Sequence, residues 1–266
     1  MKIIKLKPVT NGLRHCQKIE KYLLSKTNKL SKNTIKRIFY AHGRSTMTGR
    51  ITSWHKGGGN KNLFREVNFL NKKSNSIVVS TMYDPCRSSF ICLNFDLDRK
   101  VFFRTLSVDS LYPGSLICCN SNLKDLKLGY RTQIKNIPVG SLISNISLNE
   151  NKSAQFIRSA GTYGQIIQTS LKKAKIRLPS NKIVLITLNS FATIGIVSNV
   201  QHNLVTLGKA GKSRHVGRRP IVRGIAMNPV DHPHGGRTNG GRPSVTPWGL
   251  PTKGGFYLKK KKKNYE

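Results

Sequence analysis

The chain has 266 residues, with 47 Lys plus Arg against 10 Asp plus Glu and a formal net charge of +37. That length holds two ordinary domains or one domain with long extensions, and no apolar run approaches the roughly 18 residues of a membrane-spanning helix. The opening MKIIKLKPV has no continuous apolar stretch after its lysines, which argues against a secretory signal, and so dense a positive charge suits a polyanionic partner better than a free monomer.

The basic residues are spread evenly, with 26 against 8 acids in residues 1–150 and 21 against 2 in residues 151–266. A basic amphipathic helix with a clean apolar face, the signature of a membrane-surface protein, is absent. The expected polyanion is therefore nucleic acid, and no membrane partner is expected. The five cysteines, Cys16, Cys86, Cys92, Cys118 and Cys119, lack paired C-x-x-C spacing. They read as reduced, mostly buried thiols rather than a structural zinc site, so no metal site is expected. Lys outnumbers Arg 30 to 17, with 22 Asn and 23 Ile. This composition points to AT-rich codons, as in an organellar or AT-rich bacterial gene.

Residues 1–63 are basic and weakly patterned and read as an extension, with only a weak helical period near Ile19–Leu24. From Phe64 the pattern turns to strands: FREVNFL (64–70), IVVSTMY (77–83), FICLNFDLD (90–98), KVFFRTLSV (100–108) and SLICC (115–119). Short β-branched and aromatic runs separated by polar or Gly/Pro turns predict a small all-β barrel, with a hairpin turn at Asp98-Arg99-Lys100. A second block predicts another compact barrel or meander from GSLISNISL (140–148), QIIQTSL (165–171), KAKIRLP (173–179), KIVLITL (182–188) and ATIGIVS (192–198). The expected domains are thus an N-terminal extension at 1–63, β domains at 64–130 and 131–198, and a C-terminal extension at 199–266.

Residues 199–258 hold 11 Gly and 6 of the chain's 11 Pro with few large apolar residues, too little to offset their ordering entropy alone. Two readings follow: a disordered tail, or an extension that folds against RNA. The individuality of the strings within it favours the second. A run of five lysines (259–263) then adds an unspecific electrostatic tail.

Two strings carry the candidate chemistry. In GRSTMTGRITSWHKGGGNK (43–61), Arg44, Arg50, Lys56 and Lys61 are candidate phosphate contacts. Gly57 and Gly58, with Gly59, let backbone N–H groups approach phosphate oxygens that a side chain would obstruct. Trp54 and His55 can stack on bases or sugars. In GKAGKSRHVGRRPIVRGIAMNPVDHPHGG (208–236), the first six residues imitate a phosphate-binding loop, but the spacing requires Gly where Thr206 stands. Lys209, Lys212, Arg214, Arg218, Arg219 and Arg223 instead form a basic series suited to phosphate contact.

Asp231 is the one acid between Glu150 and Glu266. Three readings of its string stand together. Asp231 orients His232 as a general base; His232 and His234 are two metal ligands; or a Pro-braced turn contacts RNA while Asp231 pairs with an Arg or caps a backbone N–H. The first lacks a nucleophile and the second a third ligand in the surrounding sequence.

These residues resemble the universal large-subunit ribosomal protein L-two family. The matching strings are KLKPVTNGLRH (5–15), GRSTMTGRITSWHKGGGNK (43–61), YDPCRSSFI (83–91), IPVGS (137–141), RSAGTY (158–163), LGKAGKSR (207–214), GRRPIVRGIAMNPVDHPHGG (217–236) and VTPWG (245–249). They follow the family's order across nearly the whole chain. The resemblance implies an OB-like barrel, then an SH3-like barrel, with extensions embedded in ribosomal RNA. It implies binding to large-subunit rRNA near the peptidyl-transferase centre, support of subunit association and tRNA binding, and neighbouring ribosomal proteins as partners. The small subunit, at an intersubunit bridge, is a further implied partner.

On this footing Arg87, Arg158, Asn228, His232, His234, Arg237 and Arg242 join the expected rRNA contacts. In the family the first His of VDHPHGG, here His232, has been proposed to matter for peptide-bond formation. The resemblance implies support of an RNA active site and no catalysis by the protein itself. No cofactor is implied except Mg2+ belonging to the rRNA. The family's GGGHK is GGGNK here, with Asn60 in place of an imidazole, and its acidic GEGR-like stretch is replaced by Arg237–Arg242, RTNGGR. Position 1 falls near the start of the family's body, leaving no room for a transit peptide. Together with composition, this favours a mitochondrially encoded member in the matrix, with bacterial cytoplasm or plastid as the alternative.

Overall fold

The apolar runs become strands in a computed structural model that describes residues 2–22, 24–25, 35–37, 43–70, 73–121, 123, 125–236 and 243–252. The chain forms two compact units, one drawn from residues 1–39 and 61–212 and the other from 40–60 and 213–266. The first unit contains β1 (Ile3–Lys5), β2 (Gln17–Ile19), β3 (Ile35–Arg37), β4 (Leu63–Arg65), β5 (Ser74–Met82), β6 (Ile91–Asp96), β7 (Phe102–Leu106) and β8 (Leu116–Cys119). It continues through β9 (Arg131–Gln133), β10 (Leu142–Ser144), β11 (Ile146–Ser147), β12 (Ala154–Phe156), β13 (Gly164–Thr169), β14 (Lys173–Arg177), β15 (Ile183–Thr187) and β16 (Phe191–Ile194). The one described α-helix is α1 (Ala210–His215).

Ten strands form one sheet in the order β15-β14-β13-β10-β16-β9-β8-β5-β6-β7. Neighbours pair antiparallel, except that β8 meets β9 in parallel through the single pair Cys119 and Arg131. That narrow join separates two cores. The first packs Val67, Met82, Ile91, Leu93 and Leu106, with Phe69 and Phe102 against them. The second packs Ile134, Ile143, Ile146, Ile166, Ile176 and Ile186. In β14 the alternation KAKIR puts Ala174 and Ile176 inward and Lys173, Lys175 and Arg177 in water, the period-two pattern of a half-buried strand. The fold is all-β, an OB-like block followed by an SH3-like block.

The hairpin turn at 98–100 is held by buried Asp96. Its carboxylate accepts the Asp98 N–H at 3.0 Å, and the Lys100 N–H donates to the Asp96 carbonyl at 2.9 Å with Lys100 at φ 56°.

Several expectations are corrected. No helix covers the described residues of Ile19–Leu24: Ile19 closes β2 opposite Ile3, and the Glu20 N–H donates to the Lys2 carbonyl at 3.0 Å, so this backbone is committed to a ladder. Nor is 64–70 a single strand. β4 ends at Arg65, and the backbone then turns Val67 and Phe69 onto the first core. Among the thiols, Cys16, Cys92 and Cys119 are buried, but Cys86 is exposed. Burial pushes the Cys92 and Cys119 thiols up to about 11, which leaves them protonated and inert at neutral pH.

Candidate nucleic-acid interface

The second unit brings the two basic strings together. Residues 43–53 form a tight loop: Arg44 bridges Ile51, the Ser45 N–H donates to the Arg50 carbonyl at 2.8 Å, and the Thr52 N–H donates to Gly43 O at 2.8 Å. Gly43 has φ +69°, and a Cβ there would overlap the Ser53 carbonyl, so the turn requires glycine. The loop then runs against residues 215–219. Lys56 and Arg218 form an antiparallel bridge; the Gly57 N–H donates to Gly217 O at 3.0 Å, the Arg219 N–H to His55 O at 2.9 Å and the Asn60 N–H to His215 O at 3.0 Å. A Cβ on Gly59 would lie 3.0 Å from Gly217 Cα, so the close approach uses the absence of a side chain.

Between these segments lies a cleft of about 620 Å³ lined by Arg44, Ile51, Ser53, Trp54, His55, Lys56, Gly57, Gly58, Arg214 and Arg219. Four of these side chains are basic and none is an acid. Arg214 Nη1 donates to the Arg218 carbonyl at 3.1 Å, which orients its guanidinium. At the same site the indoles of Trp54 and Trp248 meet edge to face, with centroids 5.4 Å apart at 78°. Trp248 belongs to VTPWG and is not among the contacts expected from the sequence. Nothing in periodicity links it to Trp54, and their shared identity as the chain's two tryptophans is the one signal the sequence offers.

The remaining expected contacts fall elsewhere. Arg50, Arg223 and Asn228 are exposed in the second unit, and Lys61, Arg158 and Lys209 are exposed in the first. Lys212 is half-buried, its Nζ donating to Cys16 Sγ at 2.5 Å. Arg158 lies over the Phe69 ring at 5.1 Å. Arg87 is committed inward: its Nε donates to Asp84 Oδ2 at 2.6 Å and its Nη2 to the Arg65 carbonyl at 3.3 Å. Asp84 is 0% exposed and also faces Arg65 at 3.6 Å. Removing Arg87 would therefore expose a buried carboxylate rather than free a phosphate site. The Asp84 that claims it stands three residues earlier and was readable as a competing partner. Arg237 and Arg242 lie outside the described residues.

The NPVDHPHGG string is a closed turn. The Asp231 and His232 N–H groups donate to the Asn228 carbonyl at 3.0 and 3.2 Å, Gly235 N–H to His232 O at 2.8 Å, and Gly236 N–H to Met227 O at 3.1 Å. A Cβ on Gly235 would overlap the Asn228 carbonyl, and one on Gly224 would meet the His232 ring at 2.7 Å. His232 is 8% exposed, and its Nδ1 accepts the His234 N–H at 3.0 Å. That nitrogen is therefore an acceptor and carries no proton toward Asp231. His234 Nε2 accepts the Val245 N–H at 3.1 Å, tying the turn to the 243–252 segment.

The profile of the ribosomal proteins L2 RNA-binding N-terminal domain matches residues 31–119, and that of the L2 C-terminal domain matches residues 127–249. The chain belongs to the ribosomal protein L2 family. It is 44% identical over 266 residues to the large ribosomal subunit protein uL2m of Reclinomonas americana, spanning 98% of this chain and 95% of that one. It is 40% identical over 262 residues to the large ribosomal subunit protein uL2 of Rickettsia prowazekii (strain Madrid E), spanning 97% and 93%. Both L2 strings that carry the basic cleft lie inside the matched spans.

Proposed function

We propose that this chain is a structural constituent of a large ribosomal subunit, binding large-subunit rRNA near the peptidyl-transferase centre and supporting subunit association and tRNA binding. The observation that carries this reading is the cleft built from residues 44–58 and 214–219, lined by Arg44, Lys56, Arg214 and Arg219 with no acid among its walls. Such a surface binds polyanions by counterion release and gains little from any neutral ligand. The family membership and the names of the relatives support the ribosomal assignment.

Within this reading, residues 64–130 and 131–198 act as OB-like and SH3-like domains, and 1–63 and 199–266 as extensions laid into rRNA. Arg50, Lys61, Arg158, Lys209, Arg218, Arg223, Asn228, His234, Arg237 and Arg242 are phosphate or sugar contacts. Neighbouring ribosomal proteins are partners, and the small subunit is met at an intersubunit bridge. The chain carries no catalytic step, metal or cofactor of its own; His232 holds a turn beside the RNA active site, and Mg2+ enters with the rRNA. The host is a mitochondrial ribosome, a reading supported by the uL2m relative and by the Lys-, Asn- and Ile-rich composition.

Sucrose-gradient fractionation of the native host tests this directly. Near-complete comigration with the large subunit is expected, and a chain that stays at the top of the gradient overturns the assignment. Fractionating organelles from cytosol before the gradient tests the mitochondrial host.

A further inference from the structure

The chain has two tryptophans, and the second unit sets them against each other in the open. Trp54 is 51% exposed and Trp248 64%. An indole ordinarily gains stability by burying its large apolar surface, so a pair held in contact while both rings stay wet has not been placed for core packing. At 78° the contact uses the face of one ring and only one side of it, leaving other faces of the pair open.

Trp54 also lines the basic cleft, beside Arg44, Lys56, Arg214 and Arg219 and the bare backbone of Gly57 and Gly58. The cleft is open to solvent along its length and holds about 620 Å³. An aromatic platform, several guanidinium or ammonium groups and unobstructed backbone converge on one ligand chemistry: a flat aromatic group carrying a phosphate. A base inside a duplex is stacked on both faces and cannot offer one to an indole, whereas an unpaired nucleotide can.

We propose that this cleft captures an unpaired nucleotide of RNA, its base stacked on Trp54 and its phosphate held among Arg44, Lys56, Arg214 and Arg219. Trp248 acts as a positioning residue that holds the Trp54 ring. The proposal rests on the ribosomal reading only for the identity of the RNA. Stacking on an aromatic side chain tolerates any base, so the cleft selects strandedness and leaves sequence to other contacts.

Because both tryptophans sit here, tryptophan emission of the full chain, excited at wavelengths where tyrosine does not absorb, reports on this site alone. The test titrates the protein, at a salt concentration low enough that duplex still binds, with an unstructured oligouridylate, with the same strand annealed to oligoadenylate, and with uridine monophosphate. Binding is followed in parallel by electrophoretic shift. Strong quenching by the single strand is expected, with the duplex shifting but quenching little and the mononucleotide acting only at far higher concentration. Trp54→Ala should weaken single-strand binding roughly 5- to 150-fold while leaving duplex binding nearly unchanged, and Trp54→Phe should restore most of it. Trp248→Ala should weaken single-strand binding less than Trp54→Ala.

Equal quenching by strand and duplex, or binding of both without quenching, overturns the stacking proposal and leaves the RNA-binding role standing. Saturation by the mononucleotide at concentrations where the oligonucleotide does not bind would assign the cleft to a free nucleotide and overturn it too. Failure to bind any RNA would instead strike the reading beneath it.

Discussion

The β blocks of the first unit and the loops of the second hold their shapes by different means. In the blocks, apolar side chains meet within each core, and Ile91, Ile143, Ile166 and Ile176 are wholly buried. In the second unit, His232 is the one large side chain buried among the described residues, while Ile221 remains 74% exposed and Val230 90%. What organises that unit is backbone hydrogen bonding between glycine-bearing segments, Gly57 to Gly217 and Gly235 to His232. A surface that must present cations to RNA has little room for an apolar core, and glycine close approach supplies definition where burial cannot. The lesson is that poverty in apolar residues argues against a core but not against a specific backbone arrangement.

That contrast can be broken by substitution. Ile176→Ala should lower stability by about 2–5 kcal/mol, as for buried large-to-small changes, while Ile221→Ala should stay within about 0.5 kcal/mol. Denaturant unfolding of the two variants measures both, and a comparable loss in each would mean that the second unit hides a core of its own. Arg87→Ala sharpens the boundary from the other side. It removes a charged hydrogen bond to buried Asp84 and should lower stability by about 1.5–3 kcal/mol, with rRNA affinity at fixed folded fraction unchanged. A selective loss of RNA binding would return Arg87 to the interface.

Gly235→Ala should leave the melting temperature of the β blocks intact and loosen the 227–236 turn, because its Cβ collides with the Asn228 carbonyl. Reduced large-subunit incorporation with normal β-block unfolding is the expected pair of results. His232→Gln should keep an acceptor for the His234 N–H and preserve assembly and peptidyl transfer, whereas His232→Ala should impair assembly first. Single-turnover peptide-bond formation on fully assembled mutant particles decides this. A drop of about 100-fold or more in both variants, with assembly normal, would revive a catalytic role.

Smaller effects follow. Arg44→Ala or Arg219→Ala should each flatten the log–log salt dependence of single-strand RNA binding by about 0.7. Cys92 and Cys119, raised to about 11, contribute stability that is fully present below about pH 9, the ordinary thiol value, and lost as pH rises toward 11. Unfolding free energies across that window should fall, and Cys92→Ala should make the fall shallower.

Much of the blocks was legible because side-chain period reports strands directly. KAKIR, IVLIT and FICLNFD each became a strand within a residue or two of the runs that announce them. β9, with the sequence RTQ, was invisible because its burial comes from neighbours on both sides and not from its own apolarity. Its Arg131 is buried, donating to Asn145 O at 2.9 Å, and desolvation pulls its pKa down to about 10. The residues of the cleft were nearly all readable by type, yet their meeting was not. Contacts such as Gly57 with Gly217 leave no periodic trace, and a guanidinium aimed at phosphate reads the same as one, like Arg87, already taken by a carboxylate.

The bridge between Lys56 and Arg218 also sets a clock. Its two halves lie about 160 positions apart along the chain, so on a growing polypeptide the cleft has no second wall until residue 219 has been made. At synthesis rates of about 5–20 residues per second, that delay is roughly 8–30 s after the first string emerges. The sheet strands, complete by Ile194, can pair during that interval, before the cleft acquires its full set of cations. Order of manufacture thus lets the scaffold set before its most adhesive surface exists, and a polycation that folds while surrounded by cellular RNA gains protection from being caught half-made.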